Sequence, residues 1–252
     1  MDFDDPRFME AFFRVHSMLP REGPGNAAST ARALELCRPL PQRPRVLDIA
    51  CGPGKQTVDL ARLLPDAAFT ALDFHRPFLD ELEAAVAGTE LAERLVVMQG
   101  DMAALPFAPA SFDLLWCEGA AYIMGVEEAL EAWKPLLAPG GRLAFTDAVW
   151  LKHDVPERVR RNWDEYPAMT DIPGLRARAQ ASGWHVLGDF VLPQAAWWDD
   201  YYTPMAARIA ELTPAMAGDP VGESVLELCR EEIAVYRDHA DCYGYLFLVL
   251  GL

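Results

Sequence analysis

Lysine is scarce in this chain of 252 residues: Lys55, Lys134 and Lys152 are the whole supply, and arginine carries nearly all the positive charge. That scarcity settles one class at once. Short-chain dehydrogenases need a Tyr-x-x-x-Lys pair, and the residues four before the three lysines are Cys51, Leu130 and Ala148. Paired cysteines are lacking as well. Cys37, Cys51, Cys117, Cys229 and Cys242 form no CxxC, and five scattered thiols fit a reduced cytoplasmic protein better than a disulfide framework. His239 and Cys242 lie three apart with no second ligand pair, so no metal is expected. The longest apolar run, 245–252, is far too short to span a bilayer. The start, Met1-Asp2-Phe3-Asp4-Asp5, is acidic and lacks the basic and apolar regions of a signal peptide. Positive charge is in deficit overall: 22 basic against 38 acidic residues give a net charge of −16. Such a field repels phosphate backbones and anionic lipid, so neither nucleic acid nor a membrane is an expected partner.

What is present is ordinary globular composition, 52% hydrophobic and 24% charged, in a length that suits one large α/β domain over 1–252. Asp5-Pro6 caps and opens an apolar-rich helix, and a second helix is expected from about Ala27 to Cys37. Together they make an N-terminal helical segment, 1–43. From 44 to 150, apolar runs at 45–49, 68–72, 95–98, 112–117 and 142–146 read as buried parallel strands. Helical patterns at 56–64, 76–87 and 125–137 separate them, while 100–111 carries a short helix or none. This alternation predicts a doubly wound sheet with helices on both faces and its ligand at the C-terminal ends of the strands. A sixth strand is expected at 184–192 and a seventh at 243–250. The fifty residues between, 193–242, hold two helical stretches and are expected to form a cap over the ligand edge. A homodimer is compatible with this composition, and the sequence leaves the oligomeric state open.

The informative stretch is Val46-Leu47-Asp48-Ile49-Ala50-Cys51-Gly52-Pro53-Gly54-Lys55-Gln56-Thr57, a strand ending in a carboxylate and turning through two glycines into a helix. Glycine lets a ligand press against the backbone, and the free N–H groups of the first helical turn face it. The turn is therefore of the nucleotide-cofactor type. It lacks the G-x-G-x-x-G spacing of a dinucleotide site and the G-x-x-x-x-G-K-[ST] of a phosphate loop. Further carboxylates follow the strands in order: Asp73, 25 residues after Asp48, where it could accept from a ribose diol; Gly100-Asp101-Met102; and Cys117-Glu118-Gly119. Lys134-Pro135-Leu136-Leu137-Ala138-Pro139-Gly140-Gly141-Arg142 leads into the fifth strand.

Taken together, these five motifs closely resemble the class I S-adenosylmethionine-dependent methyltransferases over about 44–150. The resemblance implies that Asp48 and the backbone of Ala50, Cys51, Gly52 and Gly54 hold the methionine portion of S-adenosyl-L-methionine. Asp73 would bind the ribose hydroxyls, Phe74 would flank the adenine, and Asp101 and Met102 would meet its edge. Glu118 would lie between cofactor and acceptor. Ala50 stands where the family more often has glycine. Arg21-Glu22-Gly23-Pro24-Gly25, Trp116 to Tyr122, Trp197-Trp198-Asp199-Asp200-Tyr201-Tyr202-Thr203-Pro204 and Tyr243-Gly244-Tyr245 further resemble a bacterial small-molecule subgroup.

Methyl transfer from a sulfonium needs the nucleophile held in line in a dry pocket, and a general base only where a proton must leave during attack. The candidates for catalysis are Glu118, Tyr122 and Asp147. Those expected to face a small-molecule acceptor are Glu22, Tyr122, Trp150, Trp198, Tyr201 and Tyr202. Lys55 is expected to point to solvent, and Trp163 and Tyr166 to anchor a helix after 156. Carboxylates and aromatic faces suit an amine or other cationic acceptor. Two other readings stay open: a binder of S-adenosylmethionine or S-adenosylhomocysteine without turnover, and a nicotinamide oxidoreductase.

Overall fold

The computed structural model describes residues 5–252; the acidic start, Met1 to Asp4, on which the signal-peptide reading rested, lies outside them. Asp5 caps the first helix, α1 (Pro6–His16), by accepting from the Arg7 N–H, with Pro6 at the first helical position. Asn26 caps α2 (Ala27–Leu36) through Ser29 N–H in the same way. The alternating core then runs β1 (Arg45–Ile49), α3 (Lys55–Leu63), β2 (Ala68–Asp73), α4 (Arg76–Val86), β3 (Leu95–Gln99), β4 (Phe112–Glu118), α5 (Val126–Trp133) and β5 (Leu137–Trp150). No helix forms between β3 and β4. Beyond it lie α6 (Glu157–Asn162), β6 (Thr170–Asp171), α7 (Ile172–Ala181) and β7 (His185–Val191). A short helix α8 (Ala195–Trp197), one π-helical turn (Trp198–Tyr202), α9 (Thr203–Met216) and α10 (Pro220–His239) come before β8 (Tyr243–Gly251).

The strands form one sheet in the order β3-β2-β1-β4-β5-β8-β7, with β6 beside the end of β5. β1 to β5 are mutually parallel and β8 is antiparallel to both of its neighbours. The doubly wound sheet thus has eight strands rather than seven, the addition being the two-residue β6. β5 is also longer than the apolar run 142–146, because it pairs with β8 from Arg142 to Trp150. All nine residues of β8 are buried, so it reads as continuous apolar sequence although antiparallel.

Strand alternation divides the core in two. Val46, Leu114, Trp116, Ala144 and Phe247 face α1 to α4, α9 and α10, while Leu47, Leu115, Phe145 and Leu246 face α5 and α7. The chain order reverses between β1 and β4, and ligands in such sheets lie outside the strand ends at that point. The glycine turn, Asp73 and Glu118 all sit there. Among the described residues no helix is long and apolar enough to cross a membrane.

Candidate functional site

Backbone strain marks the glycine turn. Gly52 and Gly54 take φ of +54° and +78°, and Ala50 takes +56°. A left-handed conformation costs an L-residue about 1–2 kcal/mol, and strain of this kind persists where the surroundings over-determine it. Ala50→Gly is therefore expected to stabilise the fold by about 0.5–1 kcal/mol after the entropy of the freer unfolded glycine is subtracted. Urea unfolding checks this, and a less stable variant would mean that the Ala50 methyl packs better than its φ suggests.

Two carboxylates shape the turn from below and from the side. Asp48 is fully buried and accepts from the Thr57 hydroxyl in the first turn of α3, while its Oδ1 has no partner among the described residues. Burial, opposed by the Thr57 bond, raises its pKa to about 7. Asp73 accepts from Gly52 N–H through Oδ2 and from His75 N–H through Oδ1, each at 2.8 Å. Burial raises it too, against those two backbone bonds. Phe74, next along, is 76% exposed, a bare apolar ring at a strand end. Gly100 N–H donates to Asp73 O at 3.0 Å, bringing the β3 end alongside. There Asp101 accepts from Ala103 N–H and the Met102 carbonyl accepts from Trp133 Nε1, at 2.8 and 3.1 Å. Phe74, Asp101 and Met102 thus gather at one edge of the turn region.

Beside the turn opens a cavity of about 720 Å³, a size suited to a small organic molecule. Glu22, Tyr122, Tyr201 and Tyr202 line it, and so do Trp163, Tyr166, Trp197 and Tyr245. Trp163 and Tyr166 follow directly on α6 and face the cavity as well. Trp198 does not line it; half-buried against the core, its ring lies 5.6 Å from Tyr202 and 6.2 Å from Tyr236. Trp150 does not reach it either. At the far end of β5 it lines a separate cavity of about 260 Å³ with Lys152, His153 and Asp171.

Glu118 and Asp147 are also away from the cavity wall. The Glu118 carboxylate is occupied by Arg21 Nη1 and Trp116 Nε1, both at 2.8 Å, and by the Thr30 hydroxyl at 3.4 Å. Both of its oxygens are thus engaged in holding Arg21, Trp116 and Thr30. Asp147 lies behind Tyr166, whose hydroxyl donates to Oδ2 at 2.8 Å, and burial lifts its pKa to about 7. A carboxyl raised from its ordinary value of 3.8 holds its proton in the fold after the unfolded chain has lost it. Stability from this group is therefore fully present below pH 4, falls as pH rises to 7, and is lost above. Asp147→Asn, which mimics the protonated acid, is expected to match the parent at pH 4 and to exceed it by about 2–4 kcal/mol at pH 8. Thermal melts across that range test it, and a gap independent of pH would show that Asp147 is ionised in the fold.

Several participants lay outside the sequence reading. Arg21 is 3% exposed and meets Asp59 and Glu118 at 3.0 and 2.8 Å, with Asp200 3.7 Å from its Nε. Lys55 is not free in solvent but bonds Asp59 at 3.1 Å. His16 Nδ1 lies 2.7 Å from Glu22 Oε2, and both residues line the cavity. Glu232 on α10 receives the hydroxyls of Tyr201 and Tyr202 on Oε1, and burial raises its pKa. A usable signal for Glu232 was its phase: it shares the stripe of Val225, Cys229 and Tyr236, which are buried. His16, four after Phe12, shares the inward face of α1 with Val15.

Compared with known proteins, residues 46–141 match the model of a family described as a methyltransferase domain. This stretch is a methyltransferase domain of the class I S-adenosylmethionine-dependent kind. The chain is 25% identical over 122 residues to a demethylmenaquinone methyltransferase of Lactobacillus johnsonii, covering 48% of this chain and 49% of that protein. It is 33% identical over 144 residues to a malonyl-acyl-carrier-protein O-methyltransferase of Enterobacter lignolyticus, covering 55% and 52%. The chain thus spans about half the length of the curated relatives it matches. A methyltransferase from Geobacter sulfurreducens, solved with S-adenosyl-L-homocysteine, has the same fold: TM-score 0.82 and 21% identity over 96% of this chain and 97% of that one. The matched stretch ends before α6 to α10, which supply much of the cavity wall.

Proposed function

We propose that this chain is an S-adenosylmethionine-dependent methyltransferase whose acceptor is a small molecule held in the 720 Å³ cavity. The observation that carries this reading is the contact between the two halves of the site. A Cβ built on Gly52 would lie 3.2 Å from Glu22 Cγ, so the cofactor turn and the cavity wall share Glu22. The chain works as one unit: 5–43 and 193–242 close over the cavity, and 44–150 holds the cofactor. The five cysteines are buried and unpaired, which fits a reducing, cytoplasmic setting.

The site's chemistry fits the cofactor. The bare Phe74 ring suits the face of a purine, with Asp101 and Met102 at its edge. Asp73 keeps lone pairs for a ribose diol, and the backbone of Ala50, Cys51, Gly52 and Gly54 follows the methionine portion. Asp48 stays beneath the turn and holds it through Thr57. The cofactor supplies a methyl group activated on a sulfonium. The chain's part is to orient the acceptor among Tyr122, Tyr201, Tyr202 and Glu22 and to exclude water, effects worth up to ~7–11 kcal/mol. Glu118 positions the 21–25 loop through Arg21, and Asp147 positions Tyr166.

Calorimetry with S-adenosylhomocysteine, followed by transfer of labelled methyl groups to a panel of amines, phenols, thiols and carboxylic acids, tests the reading. Micromolar binding with turnover on small acceptors is expected. Tight NAD(H) binding in place of S-adenosylhomocysteine would overturn it, and binding without turnover across the panel would leave a ligand-binding protein.

A further inference from the structure

His16 carries two features of a poised base, and the fold builds both. It is buried at the end of α1, where its ring stacks on Phe12 at 4.1 Å and 24°. Its Nδ1 faces Glu22 Oε2 at 2.7 Å, so the carboxylate accepts the Nδ1 proton and fixes that tautomer. The second nitrogen, Nε2, is buried and has no hydrogen-bond partner among the described residues. A buried ring nitrogen without a partner is costly, and such exceptions ask for a ligand. The ring itself lines the cavity, with the Tyr201 ring 6.5 Å away and the Tyr201 and Tyr202 hydroxyls turned to Glu232.

Position adds to this. Glu22, which orients the imidazole, packs over Gly52 of the cofactor turn. The imidazole therefore stands on the wall of the cavity next to the cofactor, where an acceptor's reacting atom must lie. Glu118, also expected to act there, is absent from the cavity wall and accepts from Arg21, Trp116 and Thr30.

We propose that His16 is the general base of this site, taking through Nε2 the proton of an acceptor N–H or O–H, with Glu22 as its positioning residue. The inference rests on the methyltransferase reading above. As the acceptor's nucleophilic atom bonds to the methyl carbon, the sulfur–methyl bond breaks and its electron pair stays on sulfur. The displaced proton passes to Nε2, and the imidazolium so formed is held by the Glu22 carboxylate. Facing His16 are Glu22 from its own loop, Tyr201 from the π-helical turn and Glu232 from α10.

Nitrogen-15 NMR of the histidine side chains, with S-adenosylhomocysteine bound, reads the tautomer without any acceptor. His16 is expected as the Nδ1–H tautomer with a bare Nε2, shifting to the common Nε2–H form in Glu22→Gln. A wild-type Nε2–H signal overturns the proposal. On the phenols and amines of the panel, His16→Gln is expected to lower kcat by about 10²–10⁴-fold, with S-adenosylhomocysteine affinity and the melting curve unchanged. Wild-type turnover by that variant also overturns the proposal. Failure of the cofactor reading is distinguished because it appears as lost calorimetric binding in the parent protein.

Discussion

Asp73→Ala is expected to weaken S-adenosylhomocysteine binding by about 10²–10³-fold while leaving a folded protein. The side chain does two jobs that one truncation removes together. It accepts the N–H groups of Gly52 and His75, each at 2.8 Å, and so ties the glycine turn to the end of β2. Its remaining lone pairs are the acceptors available to a ribose diol at this strand end. Hydrogen bonds to a charged group contribute about 1.5–3 kcal/mol each, and every 1.4 kcal/mol is tenfold in affinity. Asp73→Asn sharpens the test. An amide presents one oxygen and one NH2, so it cannot accept from both backbone N–H groups, and most of the affinity should be lost again. Calorimetry beside circular dichroism measures both quantities. Affinity within threefold of the parent in Asp73→Ala would remove Asp73 from the cofactor site.

The place of Asp73 at a strand end beside the turn was legible in the sequence, and the reason is local. A buried strand leaves an unbroken apolar run, a left-handed turn leaves glycines, and a carboxylate at the end of such a run stands out. β1 was read at its observed bounds for this reason, and Gly52 and Gly54 marked the turn. The stretch 170–183 was opaque because Pro173 and Gly174 sit in the first turn of α7 and β6 has only two residues. The cavity wall was harder still. It joins α1, the loop at 22–24, residues 158–166, the turn at 197–202 and α10, segments far apart in the chain. Aromatic type alone did not sort them: Trp150 and Trp198 share the composition of the wall without belonging to it. His16, Arg21 and Glu232 were missed because their meaning lies in what they face, and sequence reports only that a polar residue sits on an apolar stripe.

Arg21 should be the costliest single residue to lose outside the apolar core. Its guanidinium joins three parts of the fold: Asp59 on α3, Glu118 at the end of β4, and Asp200 in the π-helical turn. Four residues on, Gly25 N–H donates to Ala196 O at 2.8 Å and fastens the same loop to α8. Arg21→Met keeps much of the volume and leaves Glu118 and Asp59 buried without that cation. Removing one member of a buried ion pair costs about 3–5 kcal/mol, because the residual charge is uncompensated. For a chain of this length, with a shift of about 2–4 °C per kcal/mol, the melting temperature should fall by roughly 10 °C. Cofactor affinity should fall with it, since Glu22, the next residue, covers Gly52. A loss below 1 kcal/mol would mean that the carboxylates rehydrate and that the network contributes little. The double variant Arg21→Met with Glu118→Gln separates charge from packing. If uncompensated charge is the cause, removing the Glu118 charge restores part of the stability, and full recovery is withheld because Asp59 keeps only Lys55 and Arg62. Replacing a buried network with neutral groups is often stabilising, so a triple variant that also carries Asp59→Asn could regain the parent's stability. Should it do so while S-adenosylhomocysteine binding stays weak, the charges at Arg21 serve to fix the loop over the glycine turn rather than to hold the fold.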